Sequence, residues 1–432
     1  MIMKPLSADP KLMRGVPVMA NVIELGKRAK AASRILSTAS TQLKNDALLA
    51  MADALIDNCG KILDANKKDI ENGESAGLTA ALLDRLRLTE DRISGMADGI
   101  RETAALADPV GEVIDGGIRP NGISIRKIRV PMGVIGIIFE ARPNVTSDAA
   151  ALCLKSGNCC ILRGGKEAIN SNIAIMELLR AAVASVGLPA DCVQLIEDTS
   201  RESSTALMRL RDLDVLIPRG GAGLIRAVVE NATVPVIETG VGNCHVFIDA
   251  TADTKMAADI VFNAKTSRPS VCNAMETLLV HKDAAERVLP EIYKKLKEKN
   301  VELRGDEETI RILGSDVIPV TDEDYATEFL DYILACRVVD SIEDAIDHIS
   351  KYSTGHSECI ITSDFVNARK FTSSVDSAAV YVNASTRFTD GGVFGLGAEI
   401  GISTQKLHAR GPMGLRELTS MKFIIEGDGQ IR

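Results

Sequence analysis

The sequence predicts an α/β chain with two doubly wound domains, and three patterns carry the prediction. Residues 21–107 repeat apolar side chains at helical spacing, from residue 130 short apolar strands alternate with helices, and the same alternation starts again near residue 277. Strands and helices that alternate in this way pack as a parallel sheet with helices on both faces.

Taken in order, Val22, Leu25, Ala29, Ala32 and Leu36 form one helical stripe, and Leu48, Leu49, Ala52, Leu55 and Ile56 form another. Core packing accounts for both. Pro109 ends the helical region, and Ile123-Ser124-Ile125-Arg126 alternates like a strand with one wet face. The first block is expected to have strands at 133–139, 159–162, 193–196, 215–217 and 236–239, with helices at 147–155, 170–186, 205–210 and 222–230. In the second block strands are expected at 277–280, 334–339, 359–362 and 379–382, and helices at 284–299, 342–352 and 365–373. The border is expected near 255–265, which gives domains at 1–260 and 261–390 and a returning segment at 391–432. Cys272 then falls just inside the second domain, at the edge of a cleft facing whatever the first domain holds at the carboxyl ends of its strands.

A chain of 432 residues with 46% apolar content can bury a large core. Nine cysteines show no CxxC pair and no grouping with the five histidines, so neither a zinc site nor a redox dithiol is indicated and no metal is expected. Unpatterned thiols fit a reducing, cytoplasmic setting. Residues 1–20 contain no continuous apolar run of the signal-peptide kind, and no stretch reaches the ~20 apolar residues of a membrane span. The net charge of −9 argues against nucleic acid as the partner and leaves room for a local basic pocket.

Cys272 lies in Ser267-Arg268-Pro269-Ser270-Val271-Cys272-Asn273, a polar, loop-forming stretch. A packing cysteine belongs in an apolar run. A thiolate that attacks a carbonyl belongs beside a cation, because a nearby Arg is one of the groups that lowers a thiol pKa from ~8.5. No GxGxxG follows the first strand. Instead Pro218-Arg219-Gly220-Gly221-Ala222-Gly223 leads into a helix, and Gly220, Gly221 and Gly223 let the backbone approach a phosphate at the helix start. An ordinary strand-to-helix turn would look the same. Arg163-Gly164-Gly165-Lys166-Glu167 offers two cations suited to phosphate, or a solvated surface pair. Lys294, Lys295 and Lys297 are a charge run on a solvated helix face.

The stretch Val130-Pro131-Met132-Gly133-Val134-Ile135-Gly136-Ile137-Ile138-Phe139-Glu140-Ala141-Arg142-Pro143-Asn144-Val145-Thr146 resembles the gamma-glutamyl phosphate reductases of the aldehyde dehydrogenase superfamily. Leu162-Arg163-Gly164-Gly165-Lys166-Glu167-Ala168 and Tyr381-Val382-Asn383-Ala384-Ser385-Thr386-Arg387-Phe388, followed by Gly391-Gly392, agree with it. The likeness runs from about residue 20 to the end. Glu238 opens Glu238-Thr239-Gly240-Val241-Gly242-Asn243, 34 residues before Cys272, and this matches the superfamily's spacing of glutamate and nucleophile.

The resemblance implies an aldehyde dehydrogenase-like fold with a small protruding oligomerisation sheet near 110–130, to which 391–432 is the C-terminal return and oligomerisation segment, and hence a homo-oligomer. It implies an NADPH-dependent oxidoreductase of proline biosynthesis that reduces L-glutamyl 5-phosphate to L-glutamate 5-semialdehyde through a Cys272 thioester. Arg163 and Lys166 fall at the family segment that touches the adenosine ribose, where they suit a 2′-phosphate. Gly220, Gly221 and Gly223 fall at the pyrophosphate. Glu328, in Glu328-Phe329-Leu330, loosely matches a superfamily glutamate that holds the nicotinamide ribose, although the motif around it has diverged. The Cys272 N–H and the Asn144 amide are oxyanion donors; the loop differs in length from the family's, so Arg142 or Asn144 takes the position, or Asn144 merely forms a turn. Arg142, Arg268 and Arg387 are for the substrate's phosphate and carboxylate, without an order among them. Glu238 activates water in hydrolytic relatives; in this chain it tunes Cys272, binds the substrate ammonium or caps a strand end. The alternatives are a hydrolytic NAD(P)-dependent aldehyde dehydrogenase, distinguished by phosphate dependence, and a non-catalytic protein on the same fold. No kinase-like segment precedes residue 20, so a separate glutamate kinase is expected to supply the acyl phosphate, and a contact with it is a further expectation.

Overall fold

The structure, a computed structural model of the chain, describes residues 18–432, so the reading of the extreme N-terminus lies outside the described residues as far as residue 17. Two compact units are present: residues up to Ile237 together with Gly414–Arg432, and Glu238–Met413.

The first unit opens with helices α1 (Val18–Leu36), α2 (Thr41–Asp57), α3 (Cys59–Ser75), α4 (Ala80–Leu86) and α5 (Glu90–Ala105). Ser40, Thr79 and Thr89 start α2, α4 and α5 by accepting the N–H of Leu43, Leu82 and Arg92. Val22, Ala29, Leu36, Leu48, Ala52 and Leu55 are buried as expected, but Leu49 and Ile56 are exposed. Each of these two stands about 100° round the helix from a buried neighbour, and so falls off the packed stripe.

Strands β1 (Val113–Ile118) and β2 (Ser124–Pro131) pair antiparallel, and a C-terminal strand, Thr419–Glu426, joins the other edge of β2. Ile118, Met421, Phe423 and Ile425 hold apolar side chains in solvent on this sheet. The alternation of β3 (Val134–Phe139), α6 (Asn144–Lys155), β4 (Cys159–Arg163), α7 (Ile169–Ser185), β5 (Val193–Leu195), α8 (Arg201–Met208), β6 (Val215–Arg219) and α9 (Ala222–Asn231) then gives a four-stranded parallel sheet in the order β5-β4-β3-β6. All of β3 is buried, as a strand covered on both faces must be. The strand expected at 236–239 is a single bridge between Leu216 and Val236. Beyond it the Gly240 N–H is donated to Ile402 O, away from this sheet.

The second unit contains β7 (Cys244–Ile248), α10 (Thr254–Thr266), β8 (Met275–His281), α11 (Lys282–Lys297), β9 (Glu302–Gly305), α12 (Glu307–Leu313), β10 (Ile318–Pro319), α13 (Asp322–Tyr325), β11 (Ile333–Val339), α14 (Ile342–Tyr352), β12 (Ser357–Ile361), α15 (Phe365–Ser374) and β13 (Ala379–Val382). Its seven strands run parallel in the order β10-β9-β11-β8-β7-β12-β13. Strand β7 was not anticipated. Because it pairs with β8 and β12, the unit starts at Glu238 and not near 260. A short antiparallel pair, β14 (Ile402–Ser403) and β15 (Gly411–Pro412), carries it to Met413, past the expected end at 390. Among the described residues no helix is long and apolar enough to cross a membrane.

Candidate active site

Cys272 sits in the turn between α10 and β8. Of the nine cysteines only Cys59 and Cys272 are half-buried; the other seven are buried. Burial lifts the thiols of Cys336 and Cys359 to about 12. The Cys272 carbonyl oxygen accepts from Cys244 Sγ at 3.2 Å. Gly242 runs against the same peptide, and a β-carbon there would collide with the Cys272 carbonyl. The Gly242 N–H is donated to Glu328 Oε1 at 2.7 Å. Burial raises the Glu328 carboxyl, and that hydrogen bond opposes the rise. Upstream, the Glu238 N–H is donated to Gln405 Oε1 at 2.9 Å, and Gly240 packs against the Thr404 side chain. The segment that begins at Glu238 is thus tied at both ends, and its glycines are needed for close approach.

Arg387 reaches the same turn. Its Nε donates to Ser267 Oγ at 2.9 Å and its Nη1 to Asn273 Oδ1, while Thr386 Oγ1 donates to Asn273 O at 2.7 Å and Asn273 Nδ2 to Thr389 O at 2.9 Å. Burial lowers the Arg387 pKa, the neighbouring Arg268 lowers it further, and Cys272 acts the other way. Arg268 and Cys272 therefore each lie within electrostatic range of Arg387, with Arg268 exposed and Arg387 half-buried. Beneath them Thr389 Oγ1 is 2.7 Å from both Ser357 Oγ and Tyr381 OH, and His356 Nδ1 lies 2.8 Å from Ser357 Oγ and 3.7 Å from Cys244 Sγ. His356 is fully buried, and that burial holds its pKa down to about 4.

In the first unit the glycine turn leads into α9. The Gly221 N–H is donated to Glu140 Oε2 at 3.1 Å, and a β-carbon on Gly220 would stand 2.6 Å from Glu140 Cδ. A carboxylate at a helix start meets the unsatisfied N–H groups and the positive end of the dipole. Gly223 faces open space. Arg163 is half-buried and donates through Nη2 to Thr199 O at 2.7 Å and Ser200 O at 2.9 Å, so it braces a neighbouring turn; Lys166 is exposed. Asn144 is the first residue of α6, and its amide is donated to Asp148 Oδ2 at 2.9 Å. Burial raises the Asp148 carboxyl to about 6 against that bond. Arg142 is exposed on the turn before the helix.

The aldehyde dehydrogenase family model matches residues 19–334. A gamma-glutamyl phosphate reductase of Clostridium novyi is 62% identical over 412 residues, covering 95% of this chain and 99% of the relative. The chain belongs to the aldehyde dehydrogenase family, among its gamma-glutamyl phosphate reductases. The crystal structure of gamma-glutamyl phosphate reductase from Thermotoga maritima is similar with a TM-score of 0.93 at 51% identity, covering 95% of this chain and 99% of that one. An acetylating aldehyde dehydrogenase from Geobacillus thermoglucosidasius, at 18% identity and a TM-score of 0.69 over 96% of this chain and 98% of that one, shares the fold.

The second unit brings together Cys272, Arg268, Arg387 and Glu328, with the Glu238 segment joined to them through Gly242. The first unit holds Arg142, Asn144, Arg163, Lys166 and the glycine turn. Gly242, Asn273 and Glu140 carry no role in the sequence reading. Glu140 and Gly242 stand inside motifs that carry the family resemblance, and Asn273 directly follows Cys272; those placements are the only signals for them.

Proposed function

We propose that the chain reduces L-glutamyl 5-phosphate to L-glutamate 5-semialdehyde and inorganic phosphate in proline biosynthesis, with NADPH as the reductant and Cys272 as the covalent nucleophile. The observation that carries this reading is the half-buried Cys272 on a braced turn with Arg387 and Arg268 beside it. The name of its 62% identical relative supports the substrate.

Cys272 Sγ attacks the acyl carbon, the carbon–oxygen bond to phosphate breaks, and phosphate leaves as the thioester forms. Arg268 and Arg387 bind the phosphate and the carboxylate between them, planar guanidiniums being suited to both. Since the Asn144 amide is donated to Asp148, the Cys272 N–H is the oxyanion donor on which the reading relies, and Arg142 is an anion ligand. The residues fit the cofactor: the start of α9 already takes an anion, the Glu140 carboxylate, at Gly221. Gly220 and Gly221 would hold the diphosphate, Lys166 the 2′-phosphate and Glu328 the nicotinamide ribose. NADPH, when bound, supplies the hydride that reduces the thioester. Collapse of the resulting thiohemiacetal expels the Cys272 thiolate and frees the aldehyde.

The exposed apolar side chains of Ile118, Met421, Phe423 and Ile425 support a homo-oligomer formed through that sheet. The nine cysteines form no disulfide, which supports a cytoplasmic setting. Supplying L-glutamate, ATP and a separate glutamate kinase with the chain tests the function. NADPH oxidation is expected, and it should stop when the kinase is left out; oxidation that persists without the kinase contradicts an acyl phosphate substrate.

A further inference from the structure

We propose that Lys265 and Glu276 are positioning residues for the reaction, a buried pair that closes the base of the Cys272 turn and fixes the loop carrying Glu328. The inference rests on Cys272 as nucleophile and Glu328 as a cofactor contact.

Lys265 is the residue before the last of α10, and Glu276 is the second residue of β8, so the two bracket the turn on either side. They meet at 2.5 Å between Nζ and Oε2, both fully buried. The other carboxylate oxygen, Oε1, accepts the Leu330 N–H at 3.1 Å. Leu330 has φ +56°, a left-handed conformation that a branched side chain adopts only when its surroundings hold it there. Phe329, just before it, lies with its ring centroid 5.9 Å from Lys265 Nζ and 5.2 Å from Arg304 Cζ. Glu328 then takes the Gly242 N–H, and Gly242 packs on the Cys272 carbonyl. Every link from Lys265 to Cys272 is therefore a hydrogen bond, an ion pair, a ring contact or a backbone contact.

Stability alone does not account for the pair. Taking two charges out of water costs about as much as their attraction returns, and an apolar pair of similar size is commonly as stable or more so. What an apolar pair lacks is the second carboxylate oxygen that locates Leu330. Burial lifts the Glu276 carboxyl to about 7 and lowers the Lys265 ammonium, each opposed by the other, with Glu328, Asp331 and Cys244 the further charged or titratable groups facing them.

Two double variants test this, because either single change strands a buried charge and can prevent folding. Lys265→Met with Glu276→Gln removes the ion pair but keeps an acceptor for Leu330. Lys265→Met with Glu276→Leu removes both. In each, alkylation of Cys272 by iodoacetamide without substrate or cofactor should slow several-fold, and kcat should fall about 10-fold, as small misplacements of reacting groups cost at least that much. Only the leucine form should also raise the cofactor KM several-fold, leaving the semialdehyde KM within twofold. Circular dichroism should match the parent chain. The alkylation rate reads the turn whether or not the chain is a reductase, so its outcome is separate from that of the proposed function. Folded double variants whose alkylation, kcat and cofactor KM all lie within twofold of the parent overturn the proposal. If the leucine form does not fold, the glutamine form decides by its alkylation rate and kcat.

Discussion

Gly242 lies against the carbonyl of Cys272 so closely that no β-carbon fits between them. The obstacle is backbone on both sides, so an added methyl cannot be accommodated by a rotating side-chain tip. Gly242→Ala must move either the Cys272 turn or the segment that begins at Glu238, and it also disturbs the N–H bonded to Glu328. A fall in kcat of about 100-fold is expected, since ångström-scale misplacement of a reacting group costs that much. Urea unfolding should show a loss of about 1–3 kcal/mol, typical of overpacking. Kinetics close to the parent chain would show that the turn tolerates the shift.

Cys272→Ala should abolish turnover with circular dichroism unchanged. Iodoacetamide should label Cys272 first among the nine thiols, and NADPH should slow it. Cys59 is the competitor, being the other half-buried cysteine, but burial and then the charge of Glu90 push its thiol up. Peptide mapping that finds Cys59 labelled first would count against Cys272 as the reactive thiol.

Lys166→Ala should raise the KM for NADPH about 10-fold and leave that for NADH little changed, the loss of one charge-assisted contact to a phosphate carried by only one of them. Arg163→Ala is expected to affect both cofactors alike, because Arg163 braces the turn at Thr199 and Ser200. Equal effects of Lys166→Ala on the two cofactors would remove Lys166 from the 2′ position.

His356 gives a pH prediction. Its folded pKa of about 4 lies below the ordinary 6.5, so between those values the unfolded chain binds one more proton at this site. The stability it contributes is complete above pH 6.5 and is lost as pH falls toward 4. Relative to His356→Gln, the parent chain should lose about 1.4 kcal/mol per pH unit across that window. Parallel stability curves for the two proteins would mean that His356 is not held neutral.

Much of the fold was legible because short, β-branched apolar runs such as Val134–Phe139, bounded by glycine and polar residues, read as buried strands, and the glycine turn and Cys272 stand in polar stretches between elements. The return of the C-terminal segment at 391–432 was legible through the family resemblance, but the bounds of its strand Thr419–Glu426 were not, because its partner is β2, nearly 300 residues away, and pairing at that distance leaves no local pattern. Strand β7 was missed although its run is apolar, since the expected border had assigned those residues to the first domain. The demand for glycine at 242 comes from the Cys272 peptide, and the Lys265–Glu276 pair is two charges inside apolar elements that only folding brings together. Glu140 looked like one residue of a motif; its role at the start of α9 needs β3 and β6 side by side.

Phosphate, not water, is expected to resolve the Cys272 thioester. Run backwards, the thiolate adds to glutamate 5-semialdehyde, hydride passes to NADP⁺, and the acyl group stays on sulfur until a nucleophile releases it. By microscopic reversibility the site that expels phosphate must also bind it. Steady-state NADP⁺ reduction should therefore be near zero without phosphate, apart from one burst per active site, and should saturate as phosphate is added. An undiminished rate without phosphate, with glutamate as the product, would mean that water enters and Glu238 activates it, and the chain would be a hydrolytic dehydrogenase.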